Sequence, residues 1–219
     1  IVAHDLKNHL IAFMNISQLL SEKFTTIPDT KKQHLIERIS KSSSSLYKLM
    51  DNLLKWALSQ TNRIQFNPGE YDLAILVERT ILAYAVLAER KDITIKSGIK
   101  ENSFVFADKN MLETILRNLI SNAIKYTKNK GEIKFDAKSE EGYFVVEVSD
   151  NGIGMTKDKV DKLFDINTSQ SSVRTSHESG TGLGLILVKE FVEKQGGELV
   201  VESELDIGSK FIFTVPLKD

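Results

Sequence analysis

The stretches that decide the fold are Asp150-Asn151-Gly152-Ile153-Gly154-Met155 and Gly180-Thr181-Gly182-Leu183-Gly184-Leu185. The first follows an alternating apolar pattern typical of a strand, and the second directly precedes a helical pattern. Glycines at a helix N-terminus let backbone N–H groups approach a phosphate, which the helix dipole also favours. The second cluster is not a Walker A loop, because the trailing lysine and Ser/Thr are missing. Taken alone, a tight turn that feeds a helix explains it equally well.

A polar stripe lies on the helix predicted just upstream, over residues 111–126. Asn118, Asn122 and Lys125 are spaced i, i+4 and i+7, which places them on one face beside an apolar stripe. Asparagine is a poor residue for a helix interior, so two of them beside a lysine call for an explanation. One explanation is a solvated polar face. The other is a site where amide oxygens hold a hard cation and the lysine matches phosphate charge.

The surrounding residues alternate helical and strand patterns. The predicted helices cover residues 73–89, 111–126, 157–163 and 183–194, with Asp108 as the N-cap of the second. The predicted strands cover residues 93–96, 104–106, 133–137, 143–148, 199–202 and 210–215. Helices that share a largely antiparallel sheet indicate an α/β two-layer sandwich.

The first 66 residues follow a different pattern. They contain no glycine and one proline, Pro28, as expected of two long helices joined by a turn. Apolar residues recur at alternating steps of three and four along both helices, which makes heptad seams. A second apolar track (Ile36, Met50, Leu54 and Ala57) runs beside the second seam. Together they make an apolar face wider than one partner helix can cover. The sequence therefore predicts an all-α helical hairpin that pairs with a second copy into a dimeric four-helix bundle.

Composition excludes several classes of protein. The chain has 219 residues, 41% of them apolar, and its 29 basic and 30 acidic side chains leave a net charge of -1. That balance argues against nucleic acid as a partner held by bulk charge. With no cysteine, disulfides, thiolate zinc sites and a cysteine nucleophile are excluded. No apolar run approaches the ~20 residues that cross a bilayer. We expect a cytoplasmic chain that meets a membrane only through an upstream segment of a longer protein.

In their order and spacing, the asparagine helix and the two glycine clusters resemble the ATP-binding domain of sensor histidine kinases, within the gyrase–Hsp90–MutL class of ATPases. Residues 118–127 resemble the N box of that family, residues 150–155 its G1 box and residues 180–185 its G2 box. The resemblance runs from about residue 73 to the C-terminus. It implies a Bergerat-type ATP-binding fold, with ATP and Mg²⁺ as ligands.

The resemblance also assigns roles to individual residues. Asp150 would accept a hydrogen bond from the adenine amino group, with Gly152 and Gly154 letting the backbone come close. Asn122 would ligate Mg²⁺, and Asn118 would line the same site one turn earlier. The other residues implied at the nucleotide are Lys125 at phosphate, Tyr126 against the nucleoside, and the phosphate-facing turn Gly180, Thr181, Gly182, Leu183 and Gly184.

The segment 156–179 corresponds to the ATP lid of that family. Arg174 is a candidate for reaching the terminal phosphate, although a solvated arginine explains it equally well, and His177 is expected to lie on the surface. Phe164 matches the first aromatic residue of the F box of the family. Ile166 and Asn167 stand where the second aromatic is expected, so the sequence leaves the docking of the lid open.

The start of the chain carries the motif His4-Asp5-Leu6-Lys7-Asn8-His9-Leu10. His4 follows a seam residue, so its ring should face solvent, where a neutral imidazole keeps a lone pair for attack on phosphorus. A neighbouring carboxylate can hold the other ring N–H and stabilise the developing positive charge. The motif resembles the H box of the same kinases, which implies that His4 is the phosphoacceptor and Asp5 the base. Asn8 would orient water for dephosphorylation of the partner, and His9 replaces a common proline.

The sequence thus predicts the catalytic core of a dimeric sensor histidine kinase. Residues 1–66 would form the dimerisation and histidine phosphotransfer domain, residues 67–219 the ATP-binding domain, and residues 61–69 the hinge. The γ-phosphoryl group would pass to His4 and then to an aspartate of a response-regulator receiver domain, with phosphatase activity also expected. A nucleotide-binding scaffold and an anti-sigma-type serine protein kinase remain open. A mechanical ATPase is disfavoured, because Asn118 stands where such enzymes usually carry a glutamate base.

Overall fold

The structure is a computed structural model, and it describes residues 2–60, 65–165 and 183–217. Along the chain, its elements are α1 (Val2–Lys23), α2 (Asp29–Gln60), β1 (Pro68–Asp72), α3 (Leu73–Glu89), β2 (Thr94–Ser97), β3 (Phe104–Asp108), α4 (Lys109–Tyr126), β4 (Glu132–Glu140), β5 (Tyr143–Asp150), α5 (Lys157–Asp161), α6 (Leu183–Lys194), β6 (Leu199–Glu204) and β7 (Gly208–Pro216). Among the described residues, no helix combines the length and apolar character that crossing a membrane requires.

The predicted helical hairpin is confirmed as α1 packed against α2. The backbone N–H groups of Thr26 and Ile27 both donate to the carbonyl of Lys23 at 3.0 Å, which ends α1. The carbonyl of Pro28 accepts from the second helix and starts α2. Ile16, Ile27 and Leu35 bury their side chains at this end of the hairpin. A proline-containing turn therefore separates two long helices, as the absence of glycine indicated.

The second apolar track of α2 remains uncovered in the single chain. Ile36, Met50 and Leu54 are 55%, 55% and 59% exposed, and Met14 on α1 is 64% exposed. Contiguous exposed apolar side chains on a helical surface usually mark an interface. The face on which the sequence analysis based a dimer is thus available, and pairing with a second copy stays a prediction.

The second part of the chain is a mixed sheet with helices on one face. Five strands lie in the order β2-β4-β5-β7-β6, with β2 parallel to β4 and the other neighbours antiparallel. Alternate residues of the central strands, among them Phe135, Val146 and Phe213, are buried in one core with residues of α3, α4 and α6. The predicted helices and strand pairs of this half are present, and α5 is two residues shorter than predicted.

One strand was missed. The sequence analysis assigned Pro68 and Gly69 to a hinge, whereas they begin β1, which pairs antiparallel with β3 in a separate two-stranded sheet. A proline can occupy the first position of an edge strand, because no ladder hydrogen bond needs its missing N–H there. Residues 61–64 of the predicted hinge lie outside the described residues.

Asp108 joins three parts of the second half of the chain, as well as capping α4 as predicted. Its Oδ1 accepts from the N–H groups of Asn110 at 2.9 Å and Met111 at 3.1 Å, and its Oδ2 accepts from the N–H of Asn67 at 3.0 Å. Its own N–H donates to Oε1 of Gln195, just after α6, at 3.0 Å. The carboxylate is buried, so these hydrogen bonds fix the segment before β1 and the ends of two helices together.

Replacing Asp108 by alanine should lower the free energy of unfolding by about 2 kcal/mol, since the helix loses its cap and buried N–H groups lose their acceptor. Urea unfolding followed by circular dichroism measures the change. Asp108→Asn should lose less, because it keeps the Oδ1 acceptor. Glu101→Ala, at an exposed turn position, is the matched control and should unfold like the parent chain. Equal stability of Asp108→Ala and the parent would contradict the joining role of Asp108.

Candidate functional site

The asparagine stripe of α4 faces the start of α6. The Nδ2 group of Asn118 donates to the carbonyl of Thr114 at 2.8 Å, which orients the side-chain amide. A Cβ atom built at Gly184 would lie 2.6 Å from the Oδ1 atom of Asn118, closer than real Cβ contacts allow. Gly184 therefore leaves the space that the Asn118 amide fills. The structure brings together two residues that the sequence analysis assigned to one nucleotide site.

The remaining residues of the stripe lie further along the same helix. Asn122 is half-buried, and its amide makes no hydrogen bond with the part of the chain that the structure describes. The Nζ atom of Lys125 lies 5.0 Å from the centroid of the Tyr126 ring, a cation–π distance. The Tyr126 ring is 40% exposed. An amide, an ammonium and an aromatic ring thus occupy successive positions toward the C-terminus of α4.

The first glycine cluster forms a turn that packs on the end of α4. The carboxylate of Asp150 accepts a hydrogen bond from the N–H of Gly152 at 2.8 Å. The N–H of Ile153 donates to the carbonyl of Tyr126 at 3.1 Å, and a Cβ atom at Gly152 would lie 2.5 Å from that same carbonyl oxygen. The missing side chain of Gly152 therefore allows the turn to reach the helix. Asp150 and Tyr126 are held in one region by this contact.

The other side of the turn packs on the hairpin between β6 and β7. Gly154 has a φ of +61°, and a Cβ atom there would lie 1.8 Å from the carbonyl oxygen of Glu204. Gly208 has a φ of +142°, and its Cβ atom would lie 1.9 Å from the carbonyl oxygen of Asp150. The N–H of Asp206 donates to the carbonyl of Ile153 at 2.8 Å. The sequence pattern places Gly208 in a hairpin turn between two predicted strands and gives no sign of this contact.

The burial of Asp150 perturbs its acidity. Burial raises the pKa of this carboxyl above its ordinary value of 3.8, although hydrogen bonds from the backbone of Gly152 and Ser209 partly oppose the shift. None of the ion pairs among the described residues includes Asp150. The carboxylate is therefore an acceptor supported by backbone N–H groups and by no basic side chain within the described ranges.

The second glycine cluster is described only in part. Gly180, Thr181 and Gly182 lie outside the described residues, as do Arg174 and His177 of the predicted lid. Leu183, predicted to line the nucleotide site, buries its side chain with Ile186 against Leu49 of α2. The Nζ atom of Lys189, on α6, lies 5.4 Å from the centroid of the Phe164 ring.

The apolar cluster around Leu183 also includes the start of the chain. Leu6, Leu53 and Trp56 pack against the buried group formed by Leu49, Leu183 and Ile186. His4, Asp5 and Asn8 belong to α1 by their backbone, and their side chains are outside the described residues. Leu6 lies two positions after His4 in the first turns of α1, and Leu183 lies in the first turn of α6. The cluster therefore joins the starts of these two helices.

The comparisons with known proteins agree with this geometry. Residues 107–219 match the family described as histidine kinase-, DNA gyrase B-, and HSP90-like ATPase, and the chain belongs to that family. It is similar to the autoinducer 2 sensor kinase/phosphatase LuxQ of Vibrio parahaemolyticus, with 26% identity over 226 residues, covering 100% of this chain and 26% of LuxQ. The chain thus spans about a quarter of the length of that relative. The ATP-binding domain that the sequence predicted is confirmed at the level of the family.

Two solved structures share the fold. A histidine kinase of Acinetobacter baumannii, AdeS, superposes with a TM-score of 0.78 at 18% identity, covering 99% of this chain and 98% of that one. The histidine kinase ThkA in complex with the response regulator protein TrrA superposes with a TM-score of 0.76 at 21% identity, covering 99% of this chain and 60% of that one. At these identities the likeness concerns the fold alone. It extends over the hairpin as well as the sheet.

Gly154→Ala should be far more damaging than Gly142→Ala, although both glycines have positive φ. Gly142 has open space around it, so alanine there costs about 1 kcal/mol in backbone conformation. At Gly154 the same atom would collide with the Glu204 backbone, and the turn must move. Urea unfolding should show a loss several times larger for Gly154→Ala. Equal losses would mean that the turn and the hairpin are not in contact.

Asp150→Asn should raise the free energy of unfolding at pH 7. An acid whose folded pKa is raised costs stability in full above that pKa, and the cost disappears below the unfolded value of 3.8. The gain from asparagine should therefore shrink as the pH falls toward 4. Unfolding midpoints measured from pH 7 to pH 4 test this. Asp158→Asn, at an exposed position on α5, is the control for the removal of one negative charge.

Proposed function

We propose that this chain is the catalytic core of a sensor histidine kinase, which transfers the γ-phosphoryl group of ATP to His4. Residues 1–66 would be the dimerisation and phosphotransfer domain, and residues 67–219 the ATP-binding domain. The observation that carries the proposal is the shared apolar cluster of Leu6 and Leu183. It joins the helix of the acceptor histidine to the helix of the second glycine cluster, in a chain whose ATPase family is known.

The base and the phosphates would occupy opposite ends of the site. Asp150 would accept a hydrogen bond from the adenine amino group. Its carboxylate has no ion pair among the described residues, and the N–H of Gly152 already orients it, which supports this role. The Tyr126 ring would lie against the nucleoside, and Lys125 would contact phosphate. The turn of residues 180–184 would bind phosphate oxygens through backbone N–H groups at the start of α6.

The residues present fit a magnesium ion held mainly by the nucleotide. Mg²⁺ prefers oxygen ligands and is usually bound through one or two protein groups plus phosphates and water. Asn122 offers a half-buried amide without a hydrogen bond to the described residues, and Asn118 lies one turn earlier. We propose that Asn122 supplies the protein ligand. When bound, the ion would neutralise phosphate charge during transfer.

At His4, the lone pair of one ring nitrogen would attack the γ-phosphorus in line with the departing ADP oxygen. A P–N bond forms, the P–O bond to ADP breaks, and the imidazole becomes positively charged. Asp5 would hold the other ring N–H, which orients the ring and stabilises that charge. The phosphoryl group would then pass to an aspartate of a response-regulator receiver domain. The ThkA–TrrA complex, a kinase of the same fold bound to a response regulator, supports this partner.

The chain would act as a homodimer. Ile36, Met50 and Leu54 of α2 and Met14 of α1 present exposed apolar side chains that a second hairpin would bury in a four-helix bundle. The activity would lie in the cytoplasm, where ATP is available. Asn8 would orient water when the kinase acts as a phosphatase on its partner.

His4→Gln should abolish incorporation of label from γ-labelled ATP and leave ADP affinity unchanged, because the acceptor and the nucleotide site lie on different elements. The label in the parent chain should be acid-labile and base-stable, as a phosphoramidate is. His34→Gln, at an exposed position of α2, is the control and should be labelled like the parent. Calorimetry with ADP checks that the variants still bind nucleotide. Acid-labile label on His4→Gln would remove His4 from its role.

The same assay separates the two other candidate functions. Acid-stable phosphoserine on a partner protein, with no label on His4, would indicate an anti-sigma-type serine kinase. ADP binding by the parent chain without any phosphorylation would indicate a nucleotide-binding scaffold. The fold of the hairpin and the presence of His4, Asp5 and Asn8 in the motif that resembles the H box favour the kinase over both.

A further inference from the structure

The last turn of α4 receives its hydrogen bonds from outside the helix. The final carbonyls of any α-helix have no partner within it. Here the carbonyls of Ile124 and Lys125 accept from the Nζ atom of Lys91 at 2.6 and 3.0 Å. The carbonyl of Tyr126 accepts from the N–H of Ile153 at 3.1 Å. One ammonium group and one N–H of the glycine turn therefore complete this helix end between them.

Lys91 is well placed to hold that position. Its Nζ atom also donates to the carbonyl of Thr127 at 2.8 Å, so a single ammonium group contacts three backbone oxygens. The backbone of Lys91 is itself anchored, because its N–H donates to Ala88 at 3.0 Å and its carbonyl accepts from Lys130 at 2.9 Å. A positive charge at a helix C-terminus is also favoured by the helix dipole. These are charge-assisted hydrogen bonds, stronger than neutral ones.

We propose that Lys91 is a positioning residue for base recognition, an inference that rests on the proposed binding of ATP. Lys91 fixes the end of α4 and hence the carbonyl of Tyr126. That carbonyl receives the N–H of Ile153 and leaves room only for a glycine at position 152. The turn that carries Asp150 is therefore set by a lysine that does not itself contact the base.

The effect of Lys91 should fall on one end of the site. The carbonyls that it holds belong to the last turn of α4, beside the Asp150 turn. Asn118 and Gly184 meet about two turns earlier on the helix, and the Asn118 amide is held by Thr114. Loss of the ammonium group should therefore disturb contacts to the base more than the phosphate end at Asn118 and Gly184. Any effect through Lys125, whose carbonyl Lys91 also holds, should weaken ADP and IDP equally.

The experiment compares ADP with IDP, whose base lacks the exocyclic amino group. Affinities of the full chain for both nucleotides are measured by calorimetry. In Lys91→Met the preference for ADP over IDP should fall about tenfold, the size of one lost hydrogen bond to a charged group. Lys91→Arg keeps the charge, but a planar guanidinium group cannot donate to all three carbonyls at once. The preference of this variant for ADP over IDP should therefore be intermediate.

Asp72→Ala is the matched structural control. The Oδ1 atom of Asp72 caps the start of α3 by accepting from the N–H of Ala74 at 2.9 Å, and its Oδ2 atom accepts from the N–H of Asn102 at 3.2 Å. Neither hydrogen bond goes to the Asp150 turn. Its loss should lower the unfolding midpoint of the chain without changing the ratio of ADP to IDP affinity. A variant that merely reduces the folded fraction weakens both nucleotides equally.

The outcomes separate the proposed contact of Asp150 with adenine from the proposed role of Lys91. A parent chain without preference for ADP over IDP would overturn the proposed contact of Asp150 with adenine. A parent chain with that preference, and Lys91 variants that keep it, would overturn the positioning role of Lys91 alone. If Lys91→Met does not yield folded protein, Lys91→Arg decides by the same ratio.

Discussion

The close approach between the carbonyl of Tyr126 and the turn at Gly152 is the contact on which the proposed site depends. No side chain fits between them, since a Cβ atom at Gly152 would lie 2.5 Å from the carbonyl oxygen. The asparagine helix and the acidic turn are thereby held in a fixed relative position, with Asp150 at the end of the central strand β5. On the far side, Cβ atoms built at Gly154 and Gly208 would lie still closer to backbone oxygens, at 1.8 and 1.9 Å. The turn is thus clamped between a helix end and a hairpin, and it offers a preorganised acceptor.

The apolar cluster of α6 connects this clamp to the hairpin. Leu183 and Ile186 pack with Leu49 on α2, and the Oγ atom of Ser59 donates to Glu190 at 3.2 Å beside them. Leu49 lies on the heptad seam that the sequence predicts for the second helix of the hairpin. In the structure it also serves the contact with the ATP-binding half, so part of the wide apolar face of α2 is covered within one chain. The exposed track of Ile36, Met50 and Leu54 is what remains for a second copy.

Much of this arrangement was predictable from local pattern, and the rest depends on contacts between distant residues. The bounds of α3 and α6 agree with the prediction, because apolar periodicity and flanking turn residues mark both ends. β1 was missed because Pro68 and Gly69 are turn residues, and only pairing with β3 makes them a strand. Neighbouring residues in the sequence do not reveal the contacts of Gly208 and Lys91. Gly208 meets Asp150, 58 positions away, and the carbonyls that Lys91 holds lie at least 33 positions away. The glycine clusters and the asparagine stripe were recognisable because their chemistry is local in sequence.

Asp150 is the residue whose chemistry the fold does not require. A neutral amide oxygen could accept the same backbone N–H groups. Burial raises the pKa of the Asp150 carboxyl, so the ionised form costs the fold stability. Among the described residues no basic side chain forms an ion pair with it. A buried carboxylate that is compensated only by N–H groups retains lone pairs for a further donor. Residues with perturbed pKa values concentrate at functional sites, because a bound ligand can offset the free energy that their burial costs the fold. The exocyclic amino group of a purine is a donor of that kind, and a charged acceptor favours it over a carbonyl at the same ring position.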